Sequence, residues 1–194
     1  LLYREPPHYI TLGKELPAKA LDEILTDHAE VFTELKEYYK QTSESDTTKI
    51  SFYEDTYSLY NLYRFAHYYE EAYGKYIWLK SGASLVIEHT EAMTVIDVNT
   101  GSVLKKKKQE DTLFYQINRE AAKEIARQLR LRNISGIIMI DFINMKDTAQ
   151  KEKLLSLLDS ECKKDRVHCN VIDMTALNLV EMTRSKVRKP LHEQ

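Results

Sequence analysis

Apolar residues recur at helical spacing in some stretches of this chain and alternate or cluster in others, and the switches between the two divide it into elements. Residues 17 to 27, PAKALDEILTD, read as a short helical turn running into a strand that ends at Asp27. Val31, Phe32, Leu35, Tyr38 and Tyr39 then predict a helix over 28–42, and the polar stretch from Gln41 to Thr48 predicts a surface loop before a strand at Lys49 to Tyr53. From Thr56 to Tyr73 the positions Leu59, Leu62, Tyr63, Ala66 and either Tyr69 or Tyr73 form an apolar stripe, which predicts a second helix. The first eighty residues thus read as a small α/β unit.

Past Ser81-Gly82 the pattern turns strand-rich. Ser84 to Glu88 and Met93 to Val98 read as a hairpin, stopped by Asn99-Thr100-Gly101. After a lysine run, Lys105 to Lys108, the i, i+4 spacing of Leu113, Ile117, Ala121, Ile125 and Leu129 predicts a long helix at about 112–132. Gly136 to Phe142 is apolar and rich in β-branched residues, as in a strand buried on both faces, and it carries an aspartate near its end. Asp147 with Gln150 resembles an N-cap and capping box opening a helix to about 164. Strands at Val167 to Ile172 and near Leu177 to Glu181 complete the pattern, with no internal repeat.

Composition narrows the class. With 194 residues, 43% hydrophobic, 30% charged, 5 Gly and 4 Pro, the chain has enough apolar material for one large domain or two small ones, and its composition is that of a globular protein, with disorder not expected. Apolar runs such as Ile137 to Ile140 are far short of the roughly 20 residues that span a bilayer. The first residues lack a basic region followed by an apolar stretch, and no initiator Met is present, so the chain is expected to be a fragment. Cys162 and Cys169 form no CxxC, so neither a zinc site nor a disulfide framework is expected, and a reducing cytoplasm is the default location.

The overall charge of -2 hides a division. Residues 1–101 hold 9 Lys/Arg against 17 Asp/Glu, a net -8, whereas residues 102–194 hold 19 against 13, a net +6. Either the second half meets a polyanion or the charges are scattered solvating groups.

Two strand ends carry candidate chemistry. Alternation over Met93 to Asn99 puts Val95, Asp97 and Asn99 on one face, and Asp141 emerges from the apolar run that follows Gly136. If the two strands are neighbours, Asp97 and Asp141 meet. Paired carboxylates repel unless a cation lies between them or one is protonated, and hard oxygen donors favour Mg²⁺ or Mn²⁺. The alternative is that Asp and Asn serve here as ordinary turn residues.

Arg119, Lys123, Arg127 and Arg130 share a face of the long helix, and Lys105, Lys106, Lys107 and Lys108 precede it. They either track a phosphate backbone or form a solvated face interleaved with Glu120 and Glu124. Arg184, Lys186, Arg188 and Lys189 add a basic C-terminal segment that reads equally as a loose tail. Eight of the 13 tyrosines lie between Tyr53 and Tyr76; aromatics of this kind stack unpaired bases in some proteins, but helical spacing favours core or half-buried positions.

Three stretches, WLKSGASLVIEHTEAMTVIDVNTG (78–101), NREAAKEIARQLRLRNISGIIMIDFINM (118–145) and LVEMTR (179–184), resemble the catalytic region of the ribonuclease E/G family of bacterial endoribonucleases. The resemblance extends more weakly upstream and covers nearly the whole chain. It implies an α/β fold with a ribonuclease-H-like scaffold subdomain over 1–80 and a deoxyribonuclease-I-like catalytic subdomain over 81–194. It also implies metal-dependent hydrolysis of single-stranded RNA in RNA processing and decay, with Asp97 and Asp141 as ligands of Mg²⁺ and Asn99 acting near the scissile phosphate. Lys105 to Lys108, Arg119, Lys123 and Arg127 are then expected to bind RNA.

Asn144 stands where the family usually has a second Asp, Ala83 and Ser135 replace glycines, and Asn178 replaces the usual Gly of GLVEMTR. None of these departures removes an inferred ligand. Family members also carry an oligonucleotide-binding-fold module, a 5′-phosphate sensor and a CPxC zinc link outside this region. The chain is accordingly expected to be an excised catalytic fragment without a zinc site, cytoplasmic, and part of a homo-oligomer in its full-length form. An RNA-binding or assembly module without turnover is the competing reading.

Overall fold

The computed structural model describes residues 7, 9–10, 21–42, 49–101 and 110–193. The chain divides into two compact units, residues 1–67 and 68–194. In the first, strand β1 (Glu23–Thr26) pairs in parallel with β2 (Lys49–Phe52), and helix α1 (Ala29–Thr42) makes the crossover that a parallel pair requires. Phe32 of α1 packs on Phe52 of β2 with ring centroids 5.3 Å apart, and Leu35 is almost fully buried.

The helix expected over 56–73 is two helices, α2 (Leu59–Leu62) and α3 (Phe65–Tyr73). Arg64 separates them with φ of 52°, a left-handed conformation that no α-helix continues through. The break rotates the apolar stripe out of register, and the expected core tyrosines are exposed: Tyr57, Tyr60, Tyr63, Tyr68, Tyr69, Tyr73 and Tyr76 all lie at the surface, while Ala72 is the buried residue of α3.

The second unit is built on a six-stranded mixed sheet. Its strands are β3 (Tyr76–Trp78), β4 (Ser84–His89), β5 (Met93–Asn99), β6 (Gly136–Asp141), β7 (Cys169–Met174) and β8 (Leu179–Arg184), in the order β3-β4-β5-β6-β8-β7. Only β5 and β6 run parallel, joined through helix α4 (Glu110–Leu131); the other neighbours are antiparallel. Helix α5 (Thr148–Cys162) links β6 to β7. The molecule is thus a mixed α/β structure.

The described core of this unit lies on one side of the sheet. Leu113, Ile117, Ala121, Ile125 and Leu129 of α4, with Leu154, Leu158 and Cys162 of α5, join Leu85, Ile87, Ile96, Val98, Ile138, Ile140, Val180 and Met182 in one cluster. Among the described residues no helix packs on the opposite face at β6, which is buried on one face and not on both as its run of isoleucines suggests: Ile138 and Ile140 are inaccessible, whereas Ile137 is exposed. Asp147 caps α5 through the Ala149 amide, 2.9 Å away, but the expected return bond is missing and the Gln150 Oε1 is buried without a partner. Cys162 and Cys169 are free thiols. Arg184 belongs to no loose tail. Its side chain is buried, with Nε donating to Asp165 at 2.9 Å and Nη1 donating to the Asn133 side chain and the Ile134 carbonyl. No helix among the described residues is long and apolar enough to cross a membrane.

Candidate metal and catalytic site

Asp97 and Asp141 stand directly opposite each other in the parallel β5–β6 register. Neighbouring strands lie about 4.8 Å apart and opposed side chains share a face, so the two carboxylates are adjacent on the open side of the sheet. Asn99, two residues beyond Asp97 on that same face, donates from Nδ2 to Asp97 Oδ2 at 2.7 Å. Desolvation at the sheet surface, and then the neighbouring Asp97 charge, push the Asp141 carboxyl above the usual carboxylate range. A cation between the two carboxylates would reverse the second of these effects.

The donor set fits a hard divalent ion. Two carboxylates suffice for Mg²⁺ or Mn²⁺ completed by water and phosphate oxygens, and such ions need no dedicated protein cage. No third His, Cys, Asp or Glu joins the pair among the described residues, so a closed structural metal centre is not formed there.

The backbone around the pair is shaped by two further residues. Gly101 has φ of 57°, and a Cβ there would lie 2.4 Å from the Gly82 carbonyl oxygen, so the turn after Asn99 closes against the Gly82 turn only with glycine. Asn118 of α4, fully buried, bonds the main chain of Ile143 just beyond Asp141. Asn118 lies inside the motif at 118–145 but carries no chemistry of its own; an uncharged amide on the inner stripe of a helix is the signal that marks it.

The basic residues are distributed less simply. Lys105 to Lys108 lie outside the described residues. Lys123 and Arg127 share a groove of about 560 Å³ with Trp78, Lys80 and Arg130, along with Glu71, Glu120 and Glu124. Arg127 is already engaged there, paired with Glu71 and, at 3.1 Å, with Glu124. Arg119 is exposed, its guanidinium 5.7 Å from the Tyr115 ring centre. Asn178, where a glycine was expected, has φ of 64°, and asparagine is among the residues that tolerate this region best; its Oδ1 accepts from Lys151 Nζ at 2.6 Å.

Comparison with known proteins agrees with the motifs at these strand ends. The model of the ribonuclease E/G family matches residues 1–187. Ribonuclease G of Haemophilus influenzae is 37% identical over 190 residues, covering 98% of this chain and 38% of that protein. Ribonuclease G of Escherichia coli K12 is 38% identical over 171 residues, 88% of this chain and 35% of that protein. Ribonuclease E of a Nostoc species is 32% identical over the full chain and 28% of its own length. The chain therefore spans well under half the length of these relatives. With the family match running through both compact units and including Asp97, Asn99 and Asp141, the chain belongs to the ribonuclease E/G family.

Proposed function

We propose that this chain is the catalytic region of an endoribonuclease that hydrolyses phosphodiester bonds in single-stranded RNA, leaving 5′-phosphate and 3′-hydroxyl ends. The observation that carries the reading is the juxtaposition of Asp97 and Asp141 on parallel neighbouring strands at an open sheet face, with Asn99 hydrogen-bonded to the first. The names of the relatives, Ribonuclease G and Ribonuclease E, supply the substrate class.

Asp97 and Asp141 would hold Mg²⁺, with Mn²⁺ as the alternative. When bound, such an ion polarises the phosphate and lowers the pKa of a water molecule. Asn99 fixes the Asp97 carboxylate through one N–H and keeps its second N–H for a phosphate oxygen, since a primary amide has two donors. Arg119, Lys123 and Arg127, with Lys105 to Lys108, would neutralise the RNA backbone. Within this reading, residues 1–80 form a ribonuclease-H-like scaffold and 81–194 a deoxyribonuclease-I-like catalytic subdomain. The complete protein is a cytoplasmic homo-oligomer acting in RNA processing and decay.

The test is cleavage of a labelled single-stranded RNA with and without Mg²⁺, with matching DNA as control. Asp97→Asn and Asp141→Asn should each abolish metal-dependent cleavage while RNA affinity is kept, and the double variant should add little, because residues of one catalytic unit are non-additive. Near wild-type cleavage by either single variant would sink the assignment. Loss of RNA affinity together with turnover would favour a binding or assembly module.

A further inference from the structure

Trp78 is the chain's single tryptophan and is 73% exposed, an unusual cost for the largest apolar side chain. It sits on β3, the edge strand, with Tyr76 exposed beside it and Ile77 between them buried in the core on the other face. The register places these aromatics in the two cross-strand rows of the candidate site. Trp78 pairs with Ser84, which pairs with Asn99; Tyr76 pairs with Val86, which pairs with Asp97. Opposed residues share a face, so both aromatics stand on the face of the carboxylate pair, two strands or about 10 Å across the sheet from it. Only the short side chains of Ser84 and Val86 stand between. On its other side, Trp78 borders the groove that carries Lys80, Lys123 and Arg130. No aromatic ring or cation stacks on Trp78 among the described residues.

We propose that Trp78, flanked by Tyr76, is a stacking platform for a nucleobase of the single-stranded RNA whose scissile phosphate would lie at the cation held by Asp97 and Asp141. The inference rests on the endoribonuclease reading above and extends it to a base-contacting site. Every base presents a π-face, so a bare indole at this position grips an unpaired strand without reading its sequence, and the strand passes from the carboxylates over β3 toward Lys80, Lys123 and Arg130 in a groove that also holds Glu71, Glu120 and Glu124. A duplex, whose bases are stacked on one another, gains nothing from the platform.

Because the indole is unique, it reports on its own occupancy. In the Asp97→Asn chain, which is expected to bind without cleaving, tryptophan fluorescence should be quenched by a single-stranded RNA oligonucleotide. The quenching should vanish when an abasic nucleotide is walked to one position near the bond that the wild-type chain cleaves. Trp78→Ala should weaken RNA binding by about five-fold or more, the lower end for a base–aromatic stack, and Trp78→Phe should retain most of the affinity. Unchanged fluorescence, equal quenching by inorganic polyphosphate, wild-type affinity of Trp78→Ala, or burial of the indole by self-association without RNA would each overturn the platform. Persistent cleavage by Asp97→Asn would overturn the endoribonuclease assignment of that residue instead, so the two failures are distinguishable.

Discussion

Asn118 holds the main chain of Ile143 from both sides: its Nδ2 donates to the Ile143 carbonyl at 2.7 Å, and the Ile143 amide donates to its Oδ1 at 3.0 Å. The link ties α4 to the segment that leaves Asp141, two residues earlier, so helix packing and the candidate ligand are mechanically joined. Asn118→Ala leaves two main-chain groups to find new partners beside the core. A loss of about 2 kcal/mol or more is expected in urea unfolding, together with weaker Mg²⁺ response at Asp141. A stability and metal response equal to wild type would show that the bond pair positions nothing.

Gly101→Ala should lower stability by more than about 1 kcal/mol, because a Cβ meets the Gly82 carbonyl oxygen in a left-handed turn. Asn178→Gly, in a left-handed conformation without that close approach, should change the melting temperature little. Thermal melts of the two variants side by side check both statements. Equal tolerance at the two positions would mean that the turn after Asn99 relaxes freely.

Arg184 and Asp165 form a buried ion pair, with side chains 3% and 5% exposed. Arg184→Leu strands the Asp165 charge and should cost about 3–5 kcal/mol, whereas the paired change Arg184→Leu with Asp165→Leu should recover part of it. A double-variant cycle of unfolding free energies reads the coupling; additive losses would refute it.

His89 stacks on His192 with ring centroids 3.6 Å apart and 12° between planes, and its Nδ1 lies 3.0 Å from Thr94 Oγ1. Burial first, then the proximity of His192 and Arg132, lowers the His89 pKa below its ordinary 6.5, with Glu193 opposing. The folded state thus prefers neutral His89. That stabilising contribution is fully present above pH 6.5 and is lost as pH falls through it toward the lowered value. Hydrogen exchange in the C-terminal turn Leu191–Glu193, corrected for intrinsic rates, should become less protected between pH 7.5 and 5. His192→Ala should flatten this dependence, and a flat profile in the unsubstituted chain would contradict it.

Mg²⁺ at concentrations well above its Kd should raise the melting temperature of the chain. Binding to the native state alone contributes about 2.7 kcal/mol at a hundredfold excess. Asp97→Asn should reduce that gain and chelation should reverse it. A thermal shift that persists in Asp97→Asn, Asp141→Asn and the double variant would move the cation elsewhere.

The long periodic elements and the candidate site residues at their ends are legible in the amino-acid order alone. The stripe from Leu113 to Leu129 specifies α4, the alternation from Met93 to Asn99 specifies β5, and Asp97, Asn99 and Asp141 are recognisable at their strand ends because local spacing and residue type are written directly in the chain. Pairing and exposure, by contrast, are set by the fold. That β5 and β6 are parallel neighbours in a register setting Asp97 against Asp141 depends on the α4 crossover, which no local pattern encodes. The two-residue-wide gap at Arg64, the short edge strand at Tyr76–Trp78 and the burial of Arg184 were equally illegible. A left-handed residue breaks a helix without changing its apolar count, a three-residue strand has too few positions to show a period, and whether a cation or an aromatic is buried depends on which face the helices cover. Here α4 and α5 cover one face of the sheet, and Asp97, Asn99 and Asp141 stand on the other, while Arg119, Lys123 and Arg127 belong to α4 itself.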